Sequence, residues 1–553
     1  MSRRASCGCS METIMQLTDQ GLKNKDEWHS KGYKMADFDR EAVRRKTKEA
    51  PFWIHFGAGN LFKAFHANAL QNMLNRKEID RGLVVAEGFD YGIIDKSNRP
   101  HDDLNILVTL KSNGEVEKTV VSSVVESLKL DSDDQEEFDR LKEIFRNPSL
   151  QMATFTITEK GYGLKGPDGA ILPAIAADLE AGPEKPGSYL GKVAALLYER
   201  YKNGELPIAM VSTDNCSHNG DKLRDAIVTY AEGWAKNGRA DEGFVSYVEN
   251  PEKVSFPLTM IDKITPRPDP SVEKILAEDG LEDLQPVKTD KGSFVAPFVN
   301  AEETQYLVIE DKFPNGRPKL EDGGFIFTDR ETVEKVETMK VTTCLNPLHT
   351  ALAVFGCLLD FKLIADEMKD QDLVDLIKGI GYDEALKVVV DPGVLNPKEF
   401  IDTVVNVRFP NPFMPDTPQR IATDTSQKLA IRYGETVKKY MEGKDLDVDD
   451  LNLIPLVYAG WLRYLMGVDD EGKPFEPSAD PLLASSQEYV KDIKLGQPEG
   501  AAEKVMPLLK NKDIFGLDLT TTPLADKTCG YFEEMLAGPG AVRATIHKYA
   551  SKA

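Results

Sequence analysis

The sequence predicts an α/β fold in which an N-terminal domain built on a parallel sheet precedes a mainly α-helical C-terminal domain. Three observations carry this expectation. Short apolar runs alternate with amphipathic helical stretches up to about residue 325, long helical patterns dominate beyond it, and a glycine turn joins the first strand to the first helix.

Taken in order, residues 1–48 are polar and lack sustained apolar periodicity, so they read as an extension that wraps or frays. Phe52–Phe56 follows as a strand, Gly57-Ala58-Gly59-Asn60 as a turn, Leu61–Leu74 as a helix and Leu83–Ala86 as a second strand, which together make one βαβ unit. Further strands are expected at Ile106–Leu110, Thr119–Val125, Ala153–Thr158 and Ile208–Ser212, interleaved with helices such as Gln135–Phe145 and Leu190–Lys202. The helical half is read at Val333–Thr342, Leu348–Lys369, Thr425–Met441 and Asp450–Met466. The expected division is an extension over 1–48, an α/β domain over 49–325 and a helical domain over 326–553.

The chain has 68 basic and 91 acidic side chains, a net charge of −23 that repels a nucleic-acid backbone or an anionic lipid surface. No apolar stretch reads as the ~18 residues that cross a bilayer, and the N-terminus has arginines but no apolar signal segment. These features point to a soluble, cytoplasmic protein whose partner is a small molecule. Six scattered cysteines read as reduced thiols. Cys7-Gly8-Cys9 has no second Cys or His pair nearby to complete a zinc site, and the seven histidines form no pair at ligand spacing, so no metal is expected.

Gly57 and Gly59, placed straight after a buried strand and opening a helix, let backbone amides approach a pyrophosphate that the helix N-terminus stabilises. Phe62 stands where the usual fingerprint has its third glycine, so the same pattern also describes a bare turn before a core helix. Glu87 and Asp90, just past the second strand, lie where a carboxylate accepts from the adenine ribose hydroxyls and repels a 2′-phosphate. That favours NAD over NADP; the alternative is a solvated loop acid.

Oxidising a secondary alcohol requires a base for the hydroxyl proton and donors that hold the oxygen. The run from Glu337 through Lys340 and Asn346 to His349 combines a lysine, an amide and an imidazole in mostly apolar surroundings. Burial there would draw the lysine pKa towards neutrality, as a general base requires. The plainer alternative is a helix with a snorkelling surface lysine.

These segments, with Thr158–Tyr162, Ser212–Gly220, Met260–Pro266, Val308–Asp311 and Arg420–Lys428, resemble in order the polyol-specific long-chain dehydrogenase (mannitol dehydrogenase) family. The resemblance covers most of the chain. It implies a Rossmann-like N-terminal domain, a helical C-terminal domain and a substrate cleft between them. It further implies NAD as cofactor, with Gly57, Gly59, Asn60, Phe62, Glu87 and Asp90 binding it, and an oxidoreductase that interconverts a ketose or keturonate and its polyol or aldonate. By position Lys340 matches the family's general base, Asn215 and Asn346 its oxygen-polarising amides, and Glu337 a carboxylate linking the lysine to solvent. His349, Asp262, Arg420 and Lys428 match residues that line the substrate. Five residues separate Lys340 from Asn346 where the family usually has four, which calls for a helical bulge or a different entry into the helix. Lys63 stands where the family has arginine. A protein that keeps this fold and binds NAD(H) without catalysis is the reading from another class.

Overall fold

The computed structural model describes residues 15–551, which divide into two compact units: residues 15–111 with 115–333, and residues 112–114 with 334–551. Cys7-Gly8-Cys9 lies outside the described residues.

The main sheet of the first unit has six parallel strands, β1 (Trp53–Phe56), β2 (Leu83–Glu87), β3 (Val124–Lys129), β4 (Met152–Phe155), β5 (Ile208–Ser212) and β6 (Val254–Ser255), in the order β3-β2-β1-β4-β5-β6. Helix α1 (Ala67–Asn75), entered through a π turn over Phe62–His66, crosses from β1 to β2, while α2 (Gln135–Arg146), α3 (Tyr189–Lys202) and α4 (Asn219–Lys236) make the later crossovers. Successive residues of a strand point to opposite faces. Ile54 and Phe56 therefore pack with Phe138, Leu196 and Trp234 on one side, and Trp53 packs with Phe65 and Leu70 on the other. With both faces covered, β1, β2, β4 and β5 are buried along their whole length, which explains their continuous apolar sequences. The strand order reverses between β1 and β4, and ligands of open parallel sheets bind outside the carboxyl ends of the strands at such a point.

One expectation for this half is corrected. Thr119–Val125 is not one strand: Val116–Val121 pairs antiparallel with Asn105–Leu110 in a separate sheet, and the chain breaks at Ser122-Ser123 before β3 begins. The break is held by side chains, since Ser123 donates to the Ala67 carbonyl (2.6 Å) and Gln71 to that of Val120 (2.7 Å). Of the segment read as an extension that wraps or frays, residues 15–48 wrap onto the unit. Tyr33–Lys34 pairs parallel with Val116–Val121, Arg40 donates to the carbonyls of Ser122 (3.0 Å) and Val124 (2.7 Å), and the Tyr33 hydroxyl donates to Asp279 (2.8 Å).

Helix α5 (Arg330–Met339) contains the division between the units, a few residues beyond the expected boundary at 325. Its first turn belongs to the first unit because Arg330 pairs there with Asp221 (2.5 Å) and Glu310 (3.6 Å). The second unit is helical, centred on α6 (Asn346–Leu358), α7 (Leu453–Leu465) and α8 (Leu524–Met535), with Phe355, Trp461, Phe515 and Phe532 in its core. The expected helix Leu348–Lys369 is two helices: α6 ends at Leu358, Asp360 takes a left-handed φ of 61°, and a short helix resumes over Ile364–Glu367. The helical run Arg330–Leu358 is long and apolar enough by length and composition to cross a membrane, contrary to the reading of the sequence, but its residues from Thr350 to Leu358 are buried in the core of the unit.

The short helix resumes under constraint. A Cβ at Gly356 would stand 2.3 Å from Glu367 Oε1, so the carboxyl lies directly against α6, buried and with neither oxygen hydrogen-bonded. Burial pushes this carboxyl well above the usual range, with Asp370 adding to the effect. A carboxyl that holds its proton more tightly in the folded state leaves stability unchanged below its ordinary value of 4.5 and removes it as the pH rises further, because the unfolded chain ionises first. Glu367→Gln is therefore expected to melt at a higher temperature than the wild type at pH 8, with the gap closing as the pH falls towards 4.5. Calorimetry across that range checks it, and a constant or reversed gap contradicts it.

Candidate functional site

The nucleotide turn is built where β1 ends. Gly57 has φ +105°, and a Cβ there would fall 2.2 Å from the Thr156 carbonyl at the end of β4, so no side chain is admissible. Gly59 is different: its φ is ordinary and a Cβ would meet nothing within 4 Å. No protein atom asks for glycine at 59, whereas a pyrophosphate laid on the helix start would need the space a Cβ fills. Asn60 opens the helix and donates from Nδ2 to the Pro266 carbonyl (3.2 Å).

Glu87 staples this turn to the end of β2. Its carboxylate accepts from the backbone N–H of Ala58 (2.9 Å), Phe89 (2.8 Å) and Asp90 (3.1 Å). Asp90 accepts from Gly92 N (3.2 Å) and the Thr289 hydroxyl (2.7 Å). Both carboxylates expected at the ribose are thus fixed by the chain's own donors, with spare lone pairs left to accept from a hydroxyl. The Phe62 ring is a core residue stacked on His55 with centroids 4.2 Å apart, so only its backbone remains for a ligand. Beyond β2 lies a cavity of about 410 Å³ lined by Phe89, Tyr91, Tyr189, Lys192 and Lys291 among others, which reading the sequence missed. Its one sequence signal is Phe89, an aromatic residue that is 67% exposed immediately after a buried strand. Turn, open space at Gly59 and cavity together fit a dinucleotide.

The loops after β4 and β5 are locked together by Asp214, which accepts from Ile157 N (2.9 Å), Thr158 N (2.9 Å) and the Tyr162 hydroxyl (2.6 Å). Burial raises the Asp214 carboxyl while those three bonds oppose the rise. Asn219 ties the same loop to the strand Thr259–Asp262 by donating to Asp214 O (2.9 Å) and Thr259 Oγ1 (2.8 Å). With the turn braced by Asp214 and Asn219, Asn215 is left exposed, its amide making no bond to a described residue. Asp262 ends its strand buried, accepting from the Tyr306 hydroxyl (3.1 Å).

In the second unit Lys340 is 4% exposed and begins a π turn, Lys340–Cys344. The Leu345 N–H donates to the Lys340 carbonyl (3.2 Å), a bond spanning five residues where an α-helix spans four. This bulge absorbs the additional residue before Asn346, the first residue of α6. Glu337 is half-buried one turn before Lys340.

His349 sits one turn into α6, its ring centroid 5.0 Å from that of Phe409 and its Nε2 3.7 Å from Asp416 without a hydrogen bond. Burial lowers its pKa to about 4; Asp416 opposes the shift, and Arg432, Arg420 and Arg408 add to it. The imidazole is neutral at physiological pH. Arg420 pairs with Asp416, and that side chain is 62% exposed. Lys428 makes no carboxylate pair among the described residues and donates to the carbonyls of Ile421 (3.4 Å) and Thr423. Around His349 the unit therefore gathers Arg408, Arg420 and Arg432, with Asp416 opposing their effect on the imidazole. Arg408, Asp416 and Arg432 were not singled out in the sequence, since they are scattered charges without periodic signal. Among the described residues no three His, Cys, Asp or Glu side chains converge as a metal site, and Cys216, Cys344, Cys357 and Cys529 are free thiols.

Comparison with known proteins agrees in both halves. Residues 52–322 match the mannitol dehydrogenase Rossmann domain and residues 332–533 the mannitol dehydrogenase C-terminal domain. A D-mannonate oxidoreductase of Thermotoga maritima is 51% identical over 536 residues, covering 97% of this chain and 99% of its own. A polyol:NADP oxidoreductase of Gluconobacter oxydans is 28% identical over 81% of this chain and 88% of its own. Among solved structures, a substrate-free D-sorbitol dehydrogenase superposes with a TM-score of 0.76 at 25% identity, covering 93% of this chain and 97% of its own. Pseudomonas fluorescens mannitol 2-dehydrogenase, in a ternary complex with NAD and D-mannitol, shares the fold with a TM-score of 0.67 at 24% identity, covering 98% of this chain and 100% of its own. The glycine turn, the strand order and the Lys340–His349 segment thus belong to a chain of the mannitol dehydrogenase family.

Proposed function

We propose that this NAD-dependent oxidoreductase reduces the keto group of fructuronate to give D-mannonate, and runs the reverse oxidation. The observation that carries the chemistry is a buried amine, Lys340, set by a π turn just ahead of Asn346 and His349. The substrate choice is supported by the nearly full-length likeness to a D-mannonate oxidoreductase and by the cationic surroundings of His349, which suit a carboxylate on a chain of net charge −23.

The residues of the glycine turn would hold the cofactor, which as NADH would supply the hydride in reduction and as NAD⁺ would take it in oxidation. The chain's part is the proton and the oxygen. In reduction the Lys340 ammonium gives its proton to the oxygen of the carbonyl being reduced, and in oxidation the neutral amine takes it back. The side-chain amides of Asn346 and Asn215 are assigned to that same oxygen, holding the negative charge that develops there. Glu337, one helical turn before the lysine, is assigned to passing the lysine's proton to and from solvent. Neutral His349 offers a hydrogen bond to a substrate hydroxyl without adding charge, with Asp262, Arg420 and Lys428 assigned to the rest of the polyol chain.

Lys340→Ala is expected to lower kcat by about 10²–10⁴-fold, the usual worth of a positioned acid or base, while NADH titrates with an affinity within about twofold of the wild type. Turnover close to normal would refute the assignment. Substrate choice is read from NADH oxidation with fructuronate, tagaturonate, fructose and fructose 6-phosphate in parallel. Fructuronate is expected to give the highest kcat/KM. Preference for fructose identifies a mannitol 2-dehydrogenase, preference for tagaturonate a tagaturonate reductase, and activity on the phosphate a sugar-phosphate dehydrogenase; NADH binding without turnover on any of them identifies a regulatory protein.

A further inference from the structure

Arg420 and Arg432 act on His349 from neighbouring stretches of the second unit, with Lys428 close to both arginines, yet their charges are compensated differently. Arg420 has Asp416. Lys428 has two carbonyls and feels Asp424 and Asp480. Arg432 follows Lys428 by one turn, its N–H donating to the Lys428 carbonyl (2.9 Å), and its guanidinium turns towards α6, where Nη1 donates to the Thr350 hydroxyl. Thr350 directly follows His349, so the guanidinium stands at the level of the histidine along α6. Its Nε is buried without a partner, and among the described residues no carboxylate lies within ion-pair distance of it. The charged group acting with it is Lys428, one turn before, a second cation whose pKa is lowered by burial and then by Arg432.

A guanidinium whose Nε is buried and unpartnered, and which faces one hydroxyl and no anion among the described residues, is costly to keep. Such a group is retained where an anion arrives to complete it. The second buried polar atom without a partner in this cluster is His349 Nε2, so two donors or acceptors of the same neighbourhood await bonds that the chain does not supply.

We propose that Arg432 is the residue that selects a carboxylate-bearing substrate, receiving the sugar-acid carboxylate at its guanidinium while His349 bonds an adjacent hydroxyl. The proposal rests on the keturonate reading above and adds to it the group that separates acids from neutral polyols. Arginine suits the task because its planar fork matches both oxygens of a carboxylate.

The test uses the full-length protein as wild type, Arg432→Gln and Thr350→Val. For Arg432→Gln the KM for fructuronate is expected to rise by about 30-fold or more with kcat changed little, as for a bond made equally in the ground and transition states. Without substrate the same variant is expected to melt no lower than the wild type, because an uncompensated buried charge has gone. Sodium D-mannonate is expected to raise the melting temperature of the wild type and not of the variant, while mannitol raises neither. Thr350→Val, which removes the hydroxyl partner but leaves the charge, is expected to keep a KM within a few-fold of normal. If Thr350→Val reproduces the loss, or Arg432→Gln melts lower while its KM is unchanged, Arg432 braces α6 and the proposal is overturned. If the wild type does not turn over fructuronate yet mannonate stabilises it through Arg432, the substrate reading fails and the carboxylate site stands.

Discussion

A single backbone hydrogen bond, from Leu345 N to the carbonyl of Lys340, sets how Lys340 is spaced from Asn346 and His349 in the second unit. It spans five residues and so widens one turn of an otherwise regular helix. The widened turn lets six positions separate Lys340 from Asn346 while α6 keeps its phase, with His349 following one turn on. Without it, the inserted residue would rotate either the lysine or the asparagine and histidine by about 100° away from their neighbours. The first unit has a counterpart in Glu87, whose carboxylate binds three backbone amides and joins the ends of β1 and β2 where the strand order reverses.

The electrostatics of the two units differ. At the glycine turn, the carboxylates of Glu87 and Asp90 are held by neutral N–H and O–H donors, with lone pairs to spare. Around His349 the balance is reversed, with Arg408, Arg420 and Arg432 acting together and Asp416 opposing them. Burial keeps the imidazole neutral, so that the positive character there comes from arginines and does not change with physiological pH.

Much of this was legible in the sequence, for physical reasons particular to each segment. Phe52–Phe56 and Leu83–Ala86 are continuous apolar runs because β1 and β2 are buried on both faces, and the turn between them carries glycines where a side chain would strike Thr156 or fill an open space. How residues 15–48 wrap was illegible because the segment is held by isolated anchors, Trp28, Tyr33 and Val43, and by arginine side chains capping carbonyls, none of which makes a periodic pattern. The split of Thr119–Val125 depends on Gln71 and Ser123 reaching across the fold, and the end of α6 on the left-handed conformation of Asp360. In the site, Lys340, Asn346 and His349 stand within one short segment and were found together. Asp416, Arg408 and Arg432 reach His349 only through tertiary packing, and Phe62 looked like a cofactor contact because its burial against His55 cannot be read from spacing.

The central claim is that Lys340 carries the proton, and the most direct measurement is the single-turnover rate of NADH oxidation with fructuronate as a function of pH. If Lys340 is the donor, the wild-type rate falls at high pH as the amine loses its proton, and Lys340→Ala is slow with that limb absent. A variant that keeps the same limb, at a rate near the wild type, would place the proton on another group.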